Sequence, residues 1–141
     1  MKLPALLLAS ALLLSACTTA ETRKPPTTDL SKYHRVYVEH LLADGRNLDH
    51  LIVAELQRLG YEASSGPLTM LPDQGIDAVV TYDDRWTWDF KSYLIDFELT
   101  VRTARTDRPL ASGRYHQPTA FPKPPAGVIH EVLTPLFPKK I

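Results

Sequence analysis

Residues 93–103, YLIDFELTVRT, decide the fold. Large apolar side chains alternate with polar ones along this stretch, which is typical of a β-strand with one buried face and one solvated face. The side chains predicted to be buried are Tyr93, Ile95, Phe97, Leu99 and Val101. The side chains predicted to lie on the solvated face are Asp96, Glu98, Thr100 and Arg102.

Strands are predicted on both sides of this stretch. Residues 106–109 form a turn signal, and residues 110–116 follow as another strand. Residues 77–89 precede it as a strand, so these three segments predict an antiparallel meander. An earlier strand is predicted at residues 33–39, where aromatic and β-branched side chains suit a pleated surface.

Two amphipathic helices complete the pattern. Residues 48–59 carry apolar side chains at three- and four-residue spacing, with Asp44 or Asn47 placed to cap the first turn and Gly60 placed to end the helix. A second apolar stripe predicts a helix over residues 126–136. We therefore expect an α+β fold in the order βαβββα, with a four-stranded, largely antiparallel sheet and two helices on one face.

Two short segments resemble small envelope lipoprotein domains that have a fold like the amino-terminal domain of TolB. They are Glu55-Leu56-Gln57-Arg58-Leu59-Gly60-Tyr61, a helix end, and Asp77-Ala78-Val79-Val80-Thr81-Tyr82, the start of a strand. The resemblance implies a part in an envelope assembly, not an enzyme.

The amino terminus carries a targeting signal. Lys2 is followed by an apolar run that is far shorter than the roughly 20 residues of a spanning helix. Leu14-Ser15-Ala16-Cys17 resembles a bacterial lipobox, which implies cleavage before Cys17 and acyl chains, palmitate among them, on that cysteine. By the same resemblance, Thr18 implies the outer membrane, with the domain facing the periplasm.

Three segments are therefore expected. Residues 1–16 are a signal peptide, residues 17–31 are a lipidated amino terminus with a disordered or extended tether, and residues 32–141 are a single α+β domain. An ordinary signal peptide with an incidental cysteine is the alternative interpretation. Two or more acyl chains on Cys17 would anchor the protein to the membrane durably.

Composition excludes several classes of function. The whole chain has 16 basic and 16 acidic residues, so no excess of positive charge favours nucleic acid. Cys17 is the only cysteine, so the mature domain has no disulfide, no thiolate metal site and no cysteine nucleophile. The five histidines show no metal-binding spacing, although His34 and His116 would approach each other on neighbouring strands.

No catalytic motif occurs either. A serine-hydrolase elbow, a phosphate-binding loop and a dinucleotide fingerprint are absent from the sequence. Asp83 and Asp84 are adjacent and point to opposite faces of a strand, while cross-strand charge pairing explains Asp96 and Glu98. We expect no enzyme activity, cofactor or metal.

The candidate partner-binding residues are Tyr82, Trp86 and Trp88, which share one face of an unbroken strand. Tryptophan and tyrosine are favoured interface anchors. The alternative is that both tryptophans seal the sheet edge or pack beneath a helix. The leading hypothesis is a binding or structural lipoprotein that docks to an envelope protein. The alternatives are an envelope hydrolase or glycan binder, and a homo-oligomer that assembles into a ring through the sheet edge.

Overall fold

A computed structural model describes residues 18–25, 28–118 and 121–141. Its strands form one six-stranded sheet in the spatial order β1-β6-β5-β4-β2-β3. The strands are β1 (Thr19–Arg23), β2 (Arg35–Glu39), β3 (Glu62–Gly66), β4 (Ala78–Asp89), β5 (Lys91–Thr103) and β6 (Pro109–His116). The helices are α1 (Leu48–Arg58), between β2 and β3, and α2 (Pro125–Leu133), after β6.

The sheet is mixed, and it has two more strands than the sequence predicted. The meander β4-β5-β6 is antiparallel as expected, but β2 runs parallel to both of its neighbours, β3 and β4. β1 lies within the segment predicted as a tether, and β3 follows α1 in a stretch where no strand was predicted. The predicted four strands and the order βαβββα are therefore wrong, although the α+β class with two helices is confirmed.

Both extra strands are short and polar, and both lie at the edges of the sheet. β1 reads TAETR with every residue exposed, and β3 reads EASSG with none fully buried. Their backbones pair with β6 and β2, while their side chains bury little. A strand held by backbone pairing alone leaves no apolar alternation in the sequence, and for this reason the prediction missed both.

The hydrophobic core lies between the sheet and the two helices, which contact each other. The predicted helical stripes are buried in it, and the chain beyond α2 adds Leu136 and Phe137, both fully buried. Phe137 meets the ring of Tyr61 edge-on at 5.1 Å between centroids. The other face of the sheet carries no helix, and charged side chains occupy much of it.

A β-bulge in β5 changes the predicted alternation. Arg85 is opposite Asp96 but Trp86 is opposite Leu94, so Ile95 has no partner in β4. An extra residue of this kind shifts the alternation of faces by one position. Leu94 and Phe97 are consequently the buried residues, and the predicted burial of Tyr93 and Ile95 beside Phe97 is wrong.

Candidate functional site

The three predicted partner-binding residues, all on β4, lie at different depths. Tyr82 is buried in the core, so it cannot belong to a binding surface, and this part of the prediction is corrected. Trp86 is half-buried: the guanidinium of Arg46 lies 3.9 Å from its ring centroid, and its Nε1 donates to Asp84 Oδ2. Trp88 is 71% exposed. Burial decreases along β4, from its first half, which lies in the core, to its exposed end.

The buried side chain of Tyr82 forms a hydrogen bond with the loop that precedes α1. Its hydroxyl donates to Asp44 Oδ2 at 2.7 Å, and the backbone N–H of Leu48 donates to the same oxygen at 2.6 Å. Asn47, one of the two predicted caps, occupies the N-cap position of α1 but makes no side-chain capping bond. The carboxylate of Asp44, the other predicted cap, accepts the first N–H of the helix instead. Burial raises the pKa of the Asp44 carboxyl, but the hydrogen bonds from Tyr82 and the backbone outweigh it and hold the pKa below its ordinary value. This cluster is structural.

The hairpin between β4 and β5 ends in two exposed aromatic rings, Trp88 and Phe90, which we call the aromatic tip. Their centroids are 6.2 Å apart, and Phe90 is 93% exposed. Phe90 also has a φ of 58°, in the left-handed region that glycine and asparagine normally occupy. A bulky residue there costs about 1–2 kcal/mol in backbone strain. Neither ring is placed by core packing.

A second candidate surface lies on the face of the sheet that has no helix. At its centre, Asp96 Oδ1 is 2.7 Å from His116 Nδ1 and 3.4 Å from an Arg114 guanidinium nitrogen, and Asp96 Oδ2 accepts a hydrogen bond from Arg85. Burial raises the pKa of Asp96, but His116 and Arg85 outweigh it and the net pKa is lowered. The expectation that cross-strand charge pairing explains Asp96 is confirmed.

The Asp96 cluster lines part of a wider depression, which we call the open-face trough. One part, of about 330 Å³, lies between β4, β5 and β6, and a second part, of about 650 Å³, extends to β1. Glu98 lines both parts. Arg23 and Lys24 also line this surface. The sequence did not predict this, because both residues were assigned to a tether.

His34 and His116 do not come together. His116 lies in β6, and His34 immediately precedes β2; β4 and β5 separate these two strands, so the suggested approach of the two histidines does not occur. The Nδ1 of His34 is 2.8 Å from Lys140 Nζ instead. Within residues 18–25, 28–118 and 121–141, no group of three or more His, Cys, Asp or Glu side chains is placed to hold a metal ion. Over the same residues, no helix has the length and apolar character to cross a membrane. Residues 1–17, with the predicted lipobox and Cys17, lie outside the described residues.

The fold and site define an α+β domain with one helix-covered sheet face and one open, charged face. No protein-family model matches the sequence, and the comparison with curated proteins gives no match. Among solved structures, the chain is similar to the subunit of the PelC dodecamer from Paraburkholderia phytofirmans, with a TM-score of 0.67 and 14% identity over 86% of this chain and 99% of that one.

Two further structures share this similarity. A variant PelC dodecamer from the same organism has a TM-score of 0.62 and 12% identity, covering 88% of this chain and all of that one. A PDZ domain protein from Parabacteroides distasonis has a TM-score of 0.50 and 8% identity, and the match covers 85% of this chain but 35% of that protein. At these identities the likeness defines the fold alone. The resemblance to the TolB amino-terminal domain stays a prediction.

Proposed function

We propose that this chain is a lipoprotein, anchored through Cys17 to the outer membrane and facing the periplasm, that acts as a binding or structural component of an envelope assembly. The observation that carries the proposal is the lipobox at residues 14–17, placed two residues before a folded α+β domain. The fold supports it, because PelC, whose subunit this chain is similar to, is a multi-subunit assembly. The role is non-catalytic in this proposal.

The open-face trough is the docking surface in this proposal, in place of the original set Tyr82, Trp86 and Trp88. A sheet face held by six paired strands is rigid, so binding there orders little of the chain and costs little conformational entropy. The trough presents both signs of charge, with Glu98 beside the guanidinium groups of Arg85 and Arg114. It therefore fits a polar partner surface of mixed charge, either an envelope protein or, as the alternative, a glycan.

Self-assembly into a ring is the second candidate, because the PelC structures similar to this chain are dodecamers. The edge strands are poor surfaces for such contacts. β1 carries Glu21 and Arg23, and β3 ends immediately before Pro67; short charged strands and proline are common protections against edge pairing. A ring of this chain would thus use the faces of the domain, not the sheet edge that the sequence suggested.

Site-specific photo-crosslinking in intact cells tests the proposal. A photo-reactive residue at Thr100, which lines the trough, is compared with one at Ala54, which is exposed on α1 in the opposite layer. We expect a discrete adduct with an envelope protein from position 100 and none from position 54. Adducts between copies of this chain alone would support the ring, and equal labelling from both positions would contradict a docking role for the trough.

The lipid anchor needs a direct measurement of its own. Mass spectrometry of the amino-terminal peptide of the membrane-extracted protein should give a chain that begins at Cys17 and carries acyl chains. A free Cys17, or a chain that begins elsewhere, would refute the anchor and with it the proposed location.

A further inference from the structure

Exposed large apolar side chains gather at one end of the sheet. Trp88 and Phe90 form the aromatic tip there, and Leu42, 95% exposed, follows β2 by three residues. Because β2 runs parallel to β4, Leu42 leaves the sheet at the end where the β4–β5 hairpin projects. Phe121, which is also exposed, lies in the connection that leaves the same end after β6. These side chains contribute little to the core.

The predicted lipid attachment point belongs to the same end. Thr19, the first residue of β1, is paired with His116 of β6. His116 is paired with Asp96 of β5, and Asp96 with Arg85 of β4, so these four residues lie at one level across the sheet. β4 continues four residues beyond Arg85, so the hairpin projects about 13 Å past the level of Thr19. Cys17 precedes Thr19 by two residues, a reach of at most about 7 Å. A bilayer that holds a lipid on Cys17 is therefore within reach of the tip.

The lateral spacing makes these two separate points of contact. β1 and β4 are three strand steps apart in the sheet, which corresponds to about 14 Å. Two contacts at this separation would restrict tilting of the domain as well as hold it to the membrane.

The chemistry of the tip suits a lipid surface more than a charged protein surface. Tryptophan prefers the membrane–water interface, where its ring is apolar and its N–H stays hydrated. Asp89 and Lys91 flank Phe90 with opposite charges and are paired in the β4–β5 register, so the tip has no net charge. Phe90 is held in a strained left-handed conformation while its ring is 93% exposed, and the ring that it contacts, Trp88, is itself exposed.

We propose that the aromatic tip inserts into the leaflet that anchors Cys17, so that the domain is held by its lipid and by Trp88 and Phe90 together. The proposal rests on the lipidation of Cys17 put forward above. Insertion of side chains at the tip of a hairpin matches the shallow depth, about 5–10 Å, that interfacial elements reach. Because the tip is neutral, the contact should depend little on anionic lipid or on salt.

The test uses the tryptophan fluorescence of the purified lipoprotein in phosphatidylethanolamine–phosphatidylglycerol vesicles. Some of the lipids carry bromine near the headgroup end of the acyl chain, where it quenches inserted indoles. The chain has two tryptophans, so Trp86→Phe reports on Trp88, and Trp88→Phe is the matched variant that reports on half-buried Trp86. We expect Trp86→Phe to keep most of the quenching and Trp88→Phe to lose most of it.

Three results would overturn the proposal. Trp88 emission that aqueous acrylamide quenches and brominated lipid leaves unchanged would place the tip in water. Trp88 emission shielded from aqueous acrylamide but insensitive to brominated lipid would mean that protein, such as a second copy, covers the tip. Equal quenching in the Trp86→Phe and Trp88→Phe variants would mean that the quenching does not come from Trp88 at the tip.

A mass measurement on the same sample separates this proposal from the proposed function. With acyl chains present on Cys17, absent quenching refutes the tip contact alone and leaves the anchored lipoprotein intact. Without acyl chains on Cys17, both proposals fail.

Discussion

Replacing Tyr82 with phenylalanine tests whether this tyrosine is a structural residue. The substitution removes one hydroxyl and leaves the ring in the core, where it stacks on Phe97 at 6.3 Å between centroids. The lost group donates a buried hydrogen bond of 2.7 Å to the Asp44 carboxylate. Asp44 would retain the backbone N–H groups of Arg46 and Leu48 as donors.

The magnitude follows from the charge on the acceptor. A hydrogen bond to a charged group contributes about 1.5–3 kcal/mol, and a bond between neutral groups about 1 kcal/mol. We expect Tyr82→Phe to lower the free energy of unfolding by about 2 kcal/mol at pH 7. Tyr37→Phe is the matched control, because the buried Tyr37 donates at 3.0 Å to the neutral carbonyl of Pro67, and it should cost about 1 kcal/mol.

The pH dependence gives the sharper test. Since the folded-state pKa of Asp44 lies below its ordinary value, its contribution to stability is complete above the pKa of the unfolded carboxyl, near 4, and is lost as the pH falls through the folded-state value. The Tyr82 bond favours the ionised form, so the difference between wild type and Tyr82→Phe should shrink at acid pH. The difference for Tyr37→Phe should not change.

Urea unfolding of the purified protein at pH 7 and at pH 3.5 measures both differences. A Tyr82→Phe loss no larger than that of Tyr37→Phe, or one that is the same at both pH values, would refute the assignment of Tyr82 to a charge-assisted bond with Asp44.

Three further outcomes are expected. Gly113→Ala should cost about 1–3 kcal/mol of stability, measured by thermal unfolding, because the added Cβ would lie 2.7 Å from Val132 Cγ1. Gly45→Ala is the control and should cost far less stability, because the added Cβ would have no atom within 4 Å. Similar losses would argue against tight packing of β6 on α2. Asp96→Asn should cost about 1 kcal/mol at neutral pH. The cost should be smaller at pH 3.5, below the unfolded-state pKa of about 4, because the stability that comes from a lowered folded-state pKa begins to be lost there. A loss that grows on acidification would contradict the lowered pKa. Deleting residues 135–141 removes two fully buried side chains, about 3–6 kcal/mol of burial, and limited proteolysis should find the truncated chain unfolded.

The elements that sequence reasoning located correctly are those that bury a periodic apolar stripe. Leu48, Ile52 and Leu56 recur at helical spacing because one side of α1 faces the sheet, and all three are fully buried. In the second half of β5, Leu99 and Val101 alternate with polar neighbours for the same reason, and both are buried as predicted. Burial against another layer leaves its period in the sequence, so these elements are recoverable without a structure.

The missed features depend on contacts between distant parts of the chain. β1 pairs with β6 although about ninety residues separate them, and nothing within TAETR signals that pairing. The bulge at Ile95 follows from the register between two strands, which the sequence of one strand does not contain. Tyr82 looked like a surface residue because its partner Asp44 is 38 positions away.

The strand β1 also changes what the proposed lipid anchor implies. A free tether over residues 17–31 would let the domain turn in any direction above the membrane, but a strand that begins at Thr19 holds the end of the sheet beside Cys17. If the aromatic tip contacts the same leaflet, the strands run roughly along the membrane normal. The open-face trough then lies on the side of the domain and opens along the plane of the membrane. A partner anchored in the same membrane, or a second copy of this chain, would meet the trough in that orientation without having to reach around the domain. The two proposals therefore support each other: the tip determines the orientation, and the orientation presents Glu98 and its neighbours to other proteins at the membrane surface.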